Sequence, residues 1–201
     1  MLHLDHLVIK AETLAEGTEW AEARLGVPLE PGGEHQRFGT HNRLLRLEEL
    51  YLEVIAIDPN VPGPEGARWY GLDAFEGPPA LGQWALASND LEADIKHLGA
   101  GFGAPLALAR GDLRWSMAVP ETGMLPFDNL APAVMQWHCE PAQFGLPASQ
   151  FTLKSLIVSH PKAVEMQTLL APLLSDDRVQ FVQGSAGLNV ELEGPNGPVT
   201  L

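Results

Sequence analysis

Cysteine is almost absent: Cys139 is the single one in 201 residues. One thiol excludes an internal disulfide framework and a cysteine-rich zinc site, and it fits a reducing compartment. Basic residues are scarce as well, 12 Lys and Arg against 26 Asp and Glu, for a formal charge of −14. With no basic surface to displace counterions, nucleic acid and anionic membranes are not expected partners. No apolar run is long enough to span a bilayer, and the N-terminus passes directly into a strand pattern holding Asp5 and His6. Neither an anchor nor a signal peptide is therefore expected, and the reading is a cytoplasmic protein. Gly99-x-Gly101-x-Gly103 follows a helix pattern and reads as a stop, not a nucleotide loop. No serine has a nucleophile-elbow context, and Cys139 and His138, as strand neighbours, point to opposite faces.

What is present is apolar patterning, 45% of the residues, enough for one sizeable domain or two small ones sharing a sheet. Leu4–Ile9 reads as a strand, and Thr13-Leu14-Ala15-Glu16 as a capping box. Leu14, Thr18, Ala21 and Leu25 then fall at helical spacing before Gly26. Val27-Pro28-Leu29 is a short strand candidate and Pro31-Gly32-Gly33 a turn, followed by strands over 42–47 and 51–57. A Pro/Gly-rich connector over 59–80 has no periodicity, but its aromatics Trp69, Tyr70 and Phe75 predict that it packs onto the fold. The pattern then repeats over 81–140. Gln83–Ala87 is a strand, Asp90 and Leu91 open a helix that Gly99 stops, and strands cover 105–109, 114–119 and 131–137. A third, partial pass over 151–201 reads strand, helix, strand, strand, one strand short, with His160 as a cap near its helix start. The expected fold is α+β, with βαβββ modules at 1–58 and 81–140 and a partial βαββ module at 151–201.

The run Leu50–Asp58 (LYLEVIAID) is apolar on both faces except for Glu53. A lone buried carboxylate is too costly to leave unpaired, so Glu53 has a cation, a basic side chain or a metal ion beside it. His6 stands in a comparable setting on the first strand, and the two are expected to face one cavity. The plainer alternative is that His6 is a hydrogen-bonded core residue and Glu53 pairs with Arg43, Arg46 or Arg114. His35, His41 and Asn42 flank the Phe38-Gly39-Thr40 turn and are expected near a pocket mouth. His97 reads as structural.

Taken together, HLVI, GGEHQRFGTHNRLL, YLEVIAID, LRWSMAVPE and PFDNLAPAVMQW resemble the glyoxalase-like domain proteins of the vicinal-oxygen-chelate superfamily, over residues 1 to about 140. The resemblance implies a half-open barrel of two modules with a divalent metal ion held by first- and last-strand residues of each. Position by position, it implies His6 and Glu53 as ligands, with either Gln136 or His138 as a third, and Trp84 where a further ligand is expected. It also implies a pocket including Asn42, Trp84 and Arg114, with Glu53 or His138 as base. The activity implied is that of a lyase, isomerase or dioxygenase acting on a small oxygen-rich molecule. Trp84 favours the alternative of a metal-free protein that binds or sequesters a flat ligand. Homodimer formation is a further expectation of the resemblance.

Overall fold

The computed structural model describes residues 1–201. Its first module runs β1 (His3–Lys10), α1 (Leu14–Leu25), β2 (Glu30–His35), β3 (Thr40–Leu47) and β4 (Leu50–Ile57). Thr13 starts α1 in the expected way: its hydroxyl accepts the Glu16 N–H at 3.2 Å and donates to the Glu16 carboxylate at 2.8 Å. Gly26, at φ 71°, ends the helix in the left-handed region. The second module repeats the order as β5 (Ala80–Ala87), α2 (Leu91–Leu98), β6 (Ala104–Arg110), β7 (Leu113–Val119) and β8 (Ala133–Trp137). Here Asp90 caps α2 by accepting the Ala93 N–H.

These strands make one eight-stranded sheet in the order β2-β3-β4-β1-β5-β8-β7-β6. Within each module the first strand lies parallel to the fourth, β1 on β4 and β5 on β8. Antiparallel pairing of β1 with β5 joins the modules at the centre. Twist accumulated over so many strands curls the sheet into the expected half-open barrel. Helices α1 and α2 pack on its outer face, so the apolar strands are covered on both sides.

The C-terminal module begins with β9 (Thr152–Ser159), the helix Ala163–Leu170, β10 (Val179–Val182) and β11 (Gly187–Gly194), and adds a short hairpin strand, β12 (Gly197–Thr200). Its sheet order is β10-β9-β11-β12, with β9 between its two successors. It shares the element order of the other modules but not their pairing.

Two local expectations are corrected. Val27-Pro28-Leu29 is not a strand, because Pro28 has no N–H and the Leu29 N–H goes to the Glu22 carboxylate at 2.8 Å. Pro31-Gly32-Gly33 is not a turn but the middle of β2, with a register shift between Pro31 and Glu34. An edge strand has no need of the donor that proline lacks. Gly32 is required there because a Cβ would collide with the Asn42 side-chain and backbone oxygens. In the connector, Trp69–Ala74 forms a short 3-10 turn that buries Trp69 and Tyr70; Trp69 stacks on Phe38 at 4.3 Å.

Candidate functional site

Inside the barrel, His6 of β1 and Glu53 of β4 face each other, with Nε2 and Oε2 3.7 Å apart and both side chains buried. None of the three candidate arginines, Arg43, Arg46 and Arg114, bonds to Glu53. Instead Asn42, on the neighbouring β3, donates Nδ2–H to Glu53 Oε1 at 2.5 Å. The Asn42 amide is oriented by its other end, where Oδ1 accepts the Gly33 N–H at 2.9 Å and an Arg110 Nη1–H at 3.0 Å. The opposite edge of His6 meets Asp5, Nδ1 to Oδ1 2.6 Å, and Asp5 Oδ2 accepts the Trp137 indole N–H at 2.7 Å. Strict alternation would send Asp5 and His6 to opposite faces. The register shift against β5 between Leu4 and His6 lets both serve the cavity side.

Tyr70 comes from the connector. Its backbone sits at φ 59°, followed by Gly71 at φ 65°, a left-handed conformation that costs a non-glycine residue about 1 kcal/mol or more. Two donors hold its carbonyl, Asn129 Nδ2 at 2.8 Å and Lys10 Nζ at 3.2 Å. The result is a phenol oxygen 3.2 Å from His6 Nε2. Burial, then the Glu53 and Asp5 carboxylates, hold the Tyr70 hydroxyl well above the usual phenol range, so it keeps its proton. Tyr51 is raised in the same way, by burial first, and stacks on the His6 ring at 4.6 Å. Both tyrosines of the chain thus line this one cavity.

His35 ends β2 at the mouth. Its Nε2 accepts from Arg110 at 3.2 Å and its Nδ1–H faces Thr40 Oγ1 at 3.1 Å. Burial, with the Arg110 charge second, pushes its pKa down to about 3, leaving a neutral ring. From the second module Trp115, Met117, Met135 and Trp137 complete the wall. The space left free between these side chains is about 20 Å³, room for about one water, so a larger molecule enters only as side chains of the wall shift.

His6, Glu53 and Asn42 are brought together, with His35 beside them. Four expected site residues are not. Gln136 and His138 share a strand face, but it is the outer one. The Gln136 amide bonds the Leu91 N–H and the Asn89 carbonyl at the start of α2, while exposed His138 contacts Ser116 Oγ at 2.8 Å. Their neighbours Met135 and Trp137 are the inward pair. Trp84 also points outward, its indole N–H on the Leu130 carbonyl and its ring 6.4 Å from Phe181 of β10. Arg114 is exposed and donates to the Gly111 and Leu113 carbonyls; the arginine at the cavity is Arg110. Helix caps carry the signal that letter matching missed. His6 stands seven residues before the cap Thr13, and Gln83 stands seven before the cap Asp90 (13 − 6 = 90 − 83). Gln83 is therefore the counterpart of His6, and its amide is engaged by the Asn129 carbonyl and the Trp84 N–H. Val8 pairs with Glu53, and two residues beyond Gln83, Ala85 pairs with Ala133, so the counterpart of Glu53 is an alanine.

The donor set decides what the cavity suits. His6 and Glu53 are ligand types for a divalent ion, and Asp5 on His6 Nδ1 is the support such a ligand takes. Beyond them the wall holds Asn42, Arg110 and a His35 whose two ring nitrogens are taken by Thr40 and Arg110, with aromatic and thioether side chains for the rest, and no group of three His, Cys, Asp or Glu is placed to hold a metal ion. A resident ion with three protein ligands does not fit these residues. What they do form is an imidazole oriented by one carboxylate, with a second carboxylate and a protonated phenol at its free nitrogen.

A family model described as a glyoxalase-like domain matches residues 4–174. A hypothetical protein from Staphylococcus aureus, of known crystal structure, superposes with a TM-score of 0.60 at 15% identity, over 100% of this chain and 84% of that one. Methylmalonyl-CoA epimerase from Mycobacterium tuberculosis superposes with a TM-score of 0.44 at 18% identity, over 71% of this chain and 91% of that one. At these identities the likeness concerns the fold alone. No curated protein matches the sequence.

Proposed function

Because the chain belongs to the glyoxalase-like domain family of the vicinal-oxygen-chelate superfamily, we propose that its barrel cavity is a proton-transfer site of isomerase or lyase type for a small oxygen-rich molecule. The observation that carries this reading is the arrangement of Asp5, His6, Tyr70 and Glu53 around one cavity, all four buried. His6 donates Nδ1–H to Asp5, which presents Nε2 as the base and stabilises the imidazolium that forms when a substrate proton is taken. Glu53, on the Nε2 side, stabilises the same cation. The Tyr70 hydroxyl, kept protonated, supplies a hydrogen bond or a proton to an oxygen that gains charge. Asn42 holds Glu53 in place.

Members of the superfamily commonly bind divalent metal ions, and His6 and Glu53 are the residues of this chain that would touch one. The steps above use only protein groups, since the remaining ligand positions are Gln83, whose amide is taken by Asn129 and the Trp84 N–H, and Ala133. The cytoplasm is the proposed compartment, on the strength of the single free cysteine. No helix is long and apolar enough to cross a membrane.

The test is solvent deuterium incorporation into carbon, followed by proton NMR across a panel of small hydroxy and oxo compounds, together with the metal content of protein purified without chelator. Exchange that His6→Ala and Glu53→Gln each abolish supports the reading. Full exchange in both variants sinks it.

A second reading, a metal-free binding protein, is favoured by Trp115 and Trp137, whose rings lie 5.7 Å apart on the cavity wall. They supply the flat surface that Trp84 does not. Tight binding of a compound that undergoes no exchange would select it.

A further inference from the structure

We infer that Arg110 is the receptor for a terminal oxyanion, a carboxylate or phosphate group, on the molecule that enters the cavity. This names the substrate class of the acid–base site and rests on that reading. Arg110 is the last residue of β6, at one edge of the curled sheet, and its arm crosses the mouth to the other edge. There Nη1 donates to Asn42 Oδ1 at 3.0 Å and to His35 Nε2 at 3.2 Å. Both partners are neutral, and no carboxylate forms an ion pair with this guanidinium. A half-buried cation left with neutral partners is an unfavourable arrangement that a charged ligand relieves.

The open side of the group says which ligand. Nε and Nη2 make no hydrogen bond within the protein, and that edge of a guanidinium is the one that takes two parallel oxygens. The chain also keeps room for the arm: a Cβ at Gly33 would lie 2.8 Å from Arg110 Cδ. A second donor in the cavity wall is unpartnered, the indole N–H of Trp69, a residue only 4% exposed. Of the acceptors, Asp5 is engaged by His6 and Trp137 and Glu53 Oε1 by Asn42, while Glu53 Oε2 faces His6 Nε2 at 3.7 Å. The donors left open at the mouth, on Arg110 and Trp69, select a ligand that brings acceptors. Taking the anion on its open edge, Arg110 keeps Asn42 and His35 on Nη1 and gains the charged partner it lacks.

Isothermal titration at low ionic strength tests this with malonate, inorganic phosphate and the neutral malonamide. The proteins are the wild type, Arg110→Gln, Arg110→Lys, Gly33→Ala and Glu53→Gln. The wild type is expected to bind at least one anion and not malonamide, and the anion that binds identifies the carboxylate or the phosphate source. Arg110→Gln is expected to weaken binding about tenfold or more, with Arg110→Lys intermediate and Gly33→Ala weakened because the arm is displaced. Glu53→Gln is expected to bind the anion at least as tightly, because a buried negative charge near it is removed, while losing deuterium exchange, which separates anion capture from proton transfer. No anion binding to the wild type at millimolar concentration, or equal affinity in a folded Arg110→Gln, overturns the inference. Should Arg110→Gln fail to fold, undiminished binding in both Arg110→Lys and Gly33→Ala overturns it equally.

Discussion

Asp5 and His6 are chain neighbours on one strand, yet Oδ1 of the first lies 2.6 Å from Nδ1 of the second. The irregularity in β1 that permits this also fixes which imidazole nitrogen faces the cavity.

Replacing Asp5 with Asn removes the acceptor that sets the tautomer while keeping the shape. Any proton-exchange activity should fall by about a hundredfold or more, the scale of a general base. An unchanged near-ultraviolet circular dichroism spectrum would show that the loss is chemical. Activity within twofold of wild type would remove Asp5 from the mechanism.

Asn42 joins three groups at once: Glu53, the Gly33 N–H and Arg110. Asn42→Ala leaves a buried carboxylate and a backbone donor without their partner, a loss of about 2–4 kcal/mol. Urea denaturation measures it, and an unchanged midpoint would contradict the network.

Gly32→Ala brings a methyl group against the Asn42 oxygens from the β2 side. The expected destabilisation is about 1–3 kcal/mol, and Gly66→Ala, at a position with nothing nearby, should change little. Equal effects at both glycines would argue against the close approach.

His35 gives the stability a pH dependence whose sign is fixed. Its pKa is about 3 in the fold and near its ordinary 6.5 in the unfolded chain, so between these values the unfolded state binds more protons. Its contribution is fully present above pH 6.5 and is lost as pH falls, by at most about 1.4 kcal/mol per pH unit. Comparing urea midpoints of wild type and His35→Gln from pH 7 to pH 4 isolates this slope; identical slopes would mean that His35 is not held neutral.

Much of the molecule was legible from local signals. The Thr13–Glu16 box, the Asp90 cap and the Gly26 and Gly99 stops mark both helices of the barrel, and the lone charge in LYLEVIAID marks Glu53. The inward face of β8 was not legible. The resemblance implies Gln136 as a ligand beside Glu53, whereas the caps give the register Gln83 with His6 and Ala133 with Glu53. Letters that look alike carry less register information than the fixed distance from strand to helix start. Tyr70 and Arg110 escaped for another reason. One depends on a left-handed turn at a non-glycine residue, the other on how far the sheet curls, and neither has a local sequence signature.

The two halves of the barrel contribute unequally. Asp5, His6, Asn42 and Glu53 belong to the first module, while β7 and β8 bring only Leu113, Trp115, Met117, Met135 and Trp137 to the cavity. Lineages of this protein can therefore diverge in what they accept while keeping how they act: substitutions along β7 and β8 recut the shape of the space, and only Trp137, on Asp5, and Met117, beside the Tyr70 hydroxyl, touch the groups that move a proton.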